Sequence, residues 1–206
     1  MTGKRAGKRK SKLIQYLITQ CKHPTGFIGN TMISIWNKTF IEMALWGLSH
    51  VEIKKTDSIL EIGFGGGIFI NYLAKENYVN KIYGIDISKS SVQKAKKLNK
   101  QFIKSNKVTL LQSTVETLPF QKAMFNKVFA IQTHIYWNEF ELSIEKIFDS
   151  LSIGGELNII CEKDKIRYHL PNYLKKESMI QLLNQYGFIT TQVLETQRWI
   201  HYQSKK

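Results

Sequence analysis

Gly63, Gly65, Gly66 and Gly67 place four glycines within five positions, two residues behind a carboxylate at Glu61 and nineteen residues ahead of another at Asp86. Glycine permits positive φ and exposes bare backbone, so this spacing suits a tight turn whose N–H groups a nucleotide can approach. Asp86 closes the run Gly84-Ile85-Asp86-Ile87-Ser88, where a carboxylate can accept hydrogen bonds from both ribose hydroxyls. Glu61 sits inside an apolar run, and a carboxylate buried there needs partners that a ligand would supply. A second group of reactive side chains follows in Thr133-His134-Ile135-Tyr136-Trp137. An imidazole at His134 can remove a proton near neutral pH, Tyr136 can position or polarise a substrate, and Trp137 can form an apolar or cation-binding wall.

These residues need a scaffold of alternating strands and helices. The pattern predicts strands at 58–62, 81–86, 107–112, 126–132 and 155–161, with helices at 67–76, 88–100, 139–151 and 176–186 between or after them. Two final strands are expected at 188–195 and 198–204. The result is an α/β fold, a Rossmann-like seven-stranded, mostly parallel sheet with helices on both faces, whose early strand ends meet at a ligand-binding switch point. Before it, residues 1–11 read as a flexible basic tail and residues 12–50 as an N-terminal helical lid, broken at His23-Pro24-Thr25-Gly26. The main domain then covers 51–206.

Composition narrows the classes. Apolar and charged fractions of 43% and 22% are those of an ordinary globular chain, which excludes wholesale disorder. Two cysteines, Cys21 and Cys161, exclude a disulfide framework and a multi-cysteine metal site, so no metal is expected and a reducing cytoplasmic setting fits. No run approaches the roughly 18 apolar residues of a membrane span. The formal charge is +14, with six lysines and arginines in the first twelve residues and the rest of the excess spread along the chain. Such a surface attracts nucleic acid, anionic membrane or acidic substrates, although a Lys-, Ile- and Asn-rich composition also follows from genome base bias.

The dinucleotide pattern G-x-G-x-x-G counted from Gly63 needs glycine at 68, where the chain has Ile68. With Asp86 alone, NAD and S-adenosylmethionine both remain open. The ordered set E-I-G-F-G-G-G, G-I-D-I-S, V-E-T-L-P-F, F-N-K-V-F-A-I and L-S-I-G-G-E-L-N-I-I over residues 57–161 resembles class I S-adenosylmethionine-dependent methyltransferases, closest to the small-molecule type that includes quinone-biosynthesis enzymes. That resemblance implies S-adenosylmethionine as cofactor and S-adenosylhomocysteine as product. It puts Glu61, Gly63, Gly65 and Gly67 around the methionine part, Asp86 on the ribose and Ile87 against adenine. Ser113, Thr114 and Val115 fall beside the base, with Thr114 where many relatives carry an acid, and Gln132 borders the methyl-transfer region.

His134 and Tyr136 are then the candidate catalytic residues, with Phe27, Trp36, Trp137, His169 and Tyr173 lining an acceptor pocket. The expected partner is a small-molecule acceptor. An RNA methyltransferase using the basic surface is the second reading, and a cofactor-binding interaction protein without catalysis the third. The oligomeric state is not legible.

Overall fold

Leu60 and Ile62 face one apolar cluster of the core, Ile59 the other, which is the alternation of a strand buried on both sides. The computed structural model describes residues 40–206, where this strand, β1 (Ser58–Ile62), lies at the centre of the fold. A helix over residues 40–48 (α1) precedes it. After β1 come α2 (Ile68–Lys75), β2 (Lys81–Asp86), α3 (Lys89–Leu98), α4 (Lys100–Lys104), β3 (Val108–Gln112) and β4 (Phe125–Ile131). A 3-10 turn at His134–Tyr136 leads to α5 (Phe140–Ser150), β5 (Leu151–Glu162) and α6 (Lys163–His169). A second turn at Pro171–Tyr173 precedes α7 (Lys176–Gln185), β6 (Thr190–Glu195) and β7 (Trp199–Lys205).

Seven strands among the described residues form one sheet in the order β3-β2-β1-β4-β5-β7-β6. The first five run parallel, and β7 is antiparallel to both β5 and β6. The strand order reverses beside β1, so the carboxyl ends of β1, β2 and β4 face the crevice where such sheets bind ligands. The expected seven-stranded architecture is found. Of the expected N-terminal lid, only residues 40–50 are described, with α1 among them; the tail 1–11, the rest of the lid with its break at 23–26, and Phe27 and Trp36 lie outside the described residues. No helix among the described residues is long and apolar enough to cross a membrane.

The helix α6 (Lys163–His169) was not expected, and two of the shifted boundaries have a physical cause in the structure. The helix expected at 88–100 stops at Leu98, because the fully buried Asn99 donates from Nδ2 to Ala95 O at 3.0 Å and to Gly67 O at 3.1 Å. Strand β5 begins at Leu151 instead of 155: Phe125 pairs with Leu151 and Lys127 with Glu156, so the extra residues bulge at Gly154, which has φ +74°. Gly154-Gly155 is thus a turn in the sheet and no part of a ligand loop.

Gly84 on β2 makes room for the glycine turn. A Cβ there would lie 2.6 Å from Phe64 Cδ1 and 2.7 Å from Ile70 Cδ1. Gly84→Ala should therefore displace Phe64 and lower unfolding stability in urea by about 1–3 kcal/mol; an unchanged midpoint would show that Phe64 repacks freely.

Candidate functional site

The turn between β1 and α2 is held from three sides. Gly63, at φ +73°, donates its N–H to Ile85 O at 2.8 Å, and a Cβ on it would collide with the Thr133 hydroxyl. Gly65, at φ +51°, donates its N–H to Asp86 Oδ2 at 2.8 Å. A Cβ at Gly65 would meet nothing within 4 Å, so this is the side from which a ligand can reach the backbone. Gly67, at φ +75°, caps α2, and a Cβ there would lie 2.6 Å from Ala95 Cβ. Close packing of α2 on α3 is sufficient reason for that glycine.

Two buried carboxylates flank the turn. Asp86 accepts from the N–H groups of Gly65 and Ser88, both at 2.8 Å. Burial raises its pKa, and those two hydrogen bonds pull the other way. Glu61 is 5% exposed and its Oε2 has no hydrogen-bond partner among the described residues. Burial, with the Asp86 charge adding to it, pushes the Glu61 carboxyl up to about 8. A buried oxygen without a partner costs about 1–3 kcal/mol, more when charged, so the pair forms a site suited to a cation and to hydroxyl donors.

The loop after β2 and β3 is less open than the sequence implies. Ile87 is 58% exposed at the end of β2, an apolar surface beside Asp86. Ser113 donates its N–H to Asp86 O at 3.2 Å, while the Ser113 and Thr114 hydroxyls bond to Thr117, the latter at 2.9 Å. Val115 is buried in the core, so its side chain serves packing. Glu116 was not among the expected site residues. Its Oε1 accepts from the N–H groups of Asn138 at 3.1 Å and Glu139 at 3.4 Å, tying this loop to the start of α5. Burial pushes its carboxyl up, but hydrogen bonds from its own N–H, Thr114, Glu139 and Asn138 together hold it below the usual range. No local pattern marks it, because Asn138 and Glu139 lie 22 and 23 residues away in sequence.

Beyond β4 the chain turns through Gln132, a non-glycine residue at φ +56°. Its N–H donates to Ile160 O at 2.7 Å and its Oε1 accepts from Glu162 N–H at 2.8 Å, so its side chain clamps β4 to β5. His134 is fully buried, neither ring nitrogen has a partner among the described residues, and burial pushes its pKa down to about 3. It is neutral near pH 7 and shielded in this conformation from any acceptor.

Tyr136 is 44% exposed, and its ring centroid lies 5.1 Å from that of His169. Trp137 stacks on Phe140 at 5.7 Å, and Phe140 meets Tyr173 at 5.0 Å. The Tyr173 hydroxyl donates to Glu141 Oε1 at 3.0 Å. The structure thus gathers Tyr136, Trp137, His169 and Tyr173 into one aromatic rim joining the segments after β4 and β5. Among the described residues no cluster of three or more His, Cys, Asp or Glu could hold a metal.

Residues 60–159 match the family model described as a methyltransferase domain. The sheet order, the glycine turn and this match agree. Over residues 60–159 the chain is similar to methyltransferase domains, and its sheet order is that of the S-adenosylmethionine-dependent methyltransferase fold. It is 31% identical over 117 residues to a Bacillus subtilis (strain 168) protein named uncharacterized methyltransferase YdaC, covering 57% of this chain and 62% of that relative. An S-adenosylmethionine-dependent methyltransferase from Aquifex aeolicus superposes with a TM-score of 0.66 at 20% identity, over 77% of this chain and 86% of that one. The cyclase SpnF superposes with a TM-score of 0.67 at 16% identity, over 82% and 80%. These last two likenesses concern the fold alone.

The Glu61 pKa lies above its ordinary value of 4.5, so its neutral form stabilises the fold below about pH 4.5 and that contribution is lost as pH rises through about 8. Urea unfolding without ligand should therefore show the wild type losing stability relative to Glu61→Gln across that window. A constant difference between the two proteins would mean that Glu61 is ionised throughout and already paired.

Proposed function

We propose that this chain binds S-adenosylmethionine and transfers its methyl group to a small-molecule acceptor. The observation that carries this reading is the unpartnered Oε2 of buried Glu61 beside a glycine turn whose Gly65 side is open. An amino-acid ammonium group is the complement such a carboxylate lacks.

When bound, S-adenosylmethionine supplies a methyl group already activated by its positive sulfur. The chain's own residues then hold and shield. Glu61 orients the cofactor's amino group, and Asp86, fixed by Gly65 and Ser88, accepts from the ribose hydroxyls. Ile87 offers its exposed apolar side chain to the adenine face. Ser113 and Thr114 hold the neighbouring loop through Thr117, which supports a positioning role for them more than direct contact with the base. On the acceptor side, Tyr136 with His169 and Trp137 with Tyr173 form a wall suited to aligning a compact acceptor and excluding water. The exposed phenol of Tyr136 is better placed than the enclosed imidazole of His134 to meet a nucleophile. His134 serves as a neutral wall of that cage.

Titration calorimetry with S-adenosylhomocysteine tests the donor site. Binding should be present and fall by at least about 30-fold in Asp86→Ala, as expected for loss of charge-assisted hydrogen bonds. Equal affinity in the variant would reject the site. Transfer of labelled methyl to a member of a small-molecule panel, reduced in Tyr136→Phe, tests the reaction; cofactor binding with no methylated product across the panel would reject it.

A further inference from the structure

The excess positive charge, read above as spread along the chain, is concentrated in one segment when the described residues are counted by region. Residues 87–115 contain seven lysines and no acidic residue, whereas residues 40–86 hold four lysines against six acids and residues 116–206 eleven basic residues against ten acids. A base-biased composition would raise lysine everywhere; here the excess falls on α3 and α4 and the turn beyond them, and the remainder of the described domain is close to neutral. Five of these side chains, Lys89, Lys96, Lys97, Lys100 and Lys104, are exposed. None of these five takes part in the six ion pairs found among the described residues, which lie between Lys122 and Arg198.

A face of like charges with no acids of its own repels itself, and a polyanion relieves that repulsion while releasing counterions. Exposed Ser90, Gln93, Gln101 and Ser105 alternate with the lysines and add the neutral donors that contact phosphate and sugar oxygens. On α3 and α4 the exposed large apolar side chain is Leu98 alone, at 47%, which is too little for a helix that inserts into a lipid surface. No aromatic side chain between 87 and 115 is exposed, so the face offers no platform for stacking unpaired bases. What remains is recognition of the regular phosphate array of a duplex.

We propose that the α3–α4 face binds the phosphate backbone of a double-stranded nucleic acid. The face flanks β2 and β3, on the opposite side of β1 from the aromatic rim after β4 and β5. A duplex held there is a tether and not the methyl acceptor, and its binding does not depend on the reaction proposed above.

The test uses the full chain, labelled 20-base-pair RNA and DNA duplexes of one sequence, the matching single strands, and phosphatidylserine vesicles. Duplex affinity should fall about 150-fold between 50 and 200 mM salt, the response to roughly four neutralised phosphates. Replacing Lys89, Lys96, Lys97, Lys100 and Lys104 by glutamine should flatten the logarithmic salt slope by about 4 and weaken low-salt binding at least 30-fold. The melting temperature and S-adenosylhomocysteine affinity should stay unchanged. A loss seen with one kind of duplex only identifies that nucleic acid as the source. An unchanged slope would assign any binding to other basic residues and overturn the proposal. So would single strands bound as tightly as duplexes, or a substitution that abolishes vesicle binding and leaves duplex binding intact.

Discussion

The hydrogen bond from Gly65 N–H to the buried Asp86 carboxylate fixes the relation of the glycine turn to the end of β2. Everything around it is arranged to let the turn come that close. Gly84 leaves space for Phe64, Thr133 packs over Gly63, and Ala95 with Asn99 fits against Gly67. Each contact excludes a side chain at its glycine, so the backbone has one low-energy course between β1 and α2. That course sets Glu61 beneath the turn and Asp86 beside it, in surroundings dry enough to raise both carboxyls.

Much of this was legible because it depends on local pattern. Strands β1 and β2 begin and end where their apolar runs predict, since both are buried on two faces and bounded by turn residues. The positions of the glycine turn and of Asp86 at the end of β2 follow from residue type and spacing. What was hidden depends on contacts distant in sequence. Asn99 ends α3 by reaching back thirty-two residues to Gly67, which no helical periodicity reveals. The early start of β5 follows from pairing of Leu151 with Phe125, and its bulge from the geometry of Gly154. Among the site residues, Gln132 and Val115 lie in the expected places, yet Gln132 binds β5 and Val115 fills the core. His134 follows β4 as expected, but a sequence cannot tell an imidazole facing a pocket from one enclosed by Trp137 and Phe140.

Three regions with different chemistry are thus distributed along one sheet. Acidic, desolvated groups lie where β1 and β2 end, aromatic groups gather past β4 and β5, and the lysines of α3 and α4 flank β2 and β3. The parallel order with its reversal beside β1 makes this separation possible, because successive loops fall on opposite sides of the central strand.

Calorimetric titration of S-adenosylhomocysteine at pH 7, repeated in buffers of different ionisation enthalpy, tests the central claim most directly. A carboxyl near pKa 8 that becomes ionised against the ligand's ammonium releases close to one proton, about one per binding event, and Glu61→Gln abolishes that release. Binding without proton release in the wild type, or the same release in Glu61→Gln, would contradict the assignment of Glu61 as the residue that receives the ligand's charge.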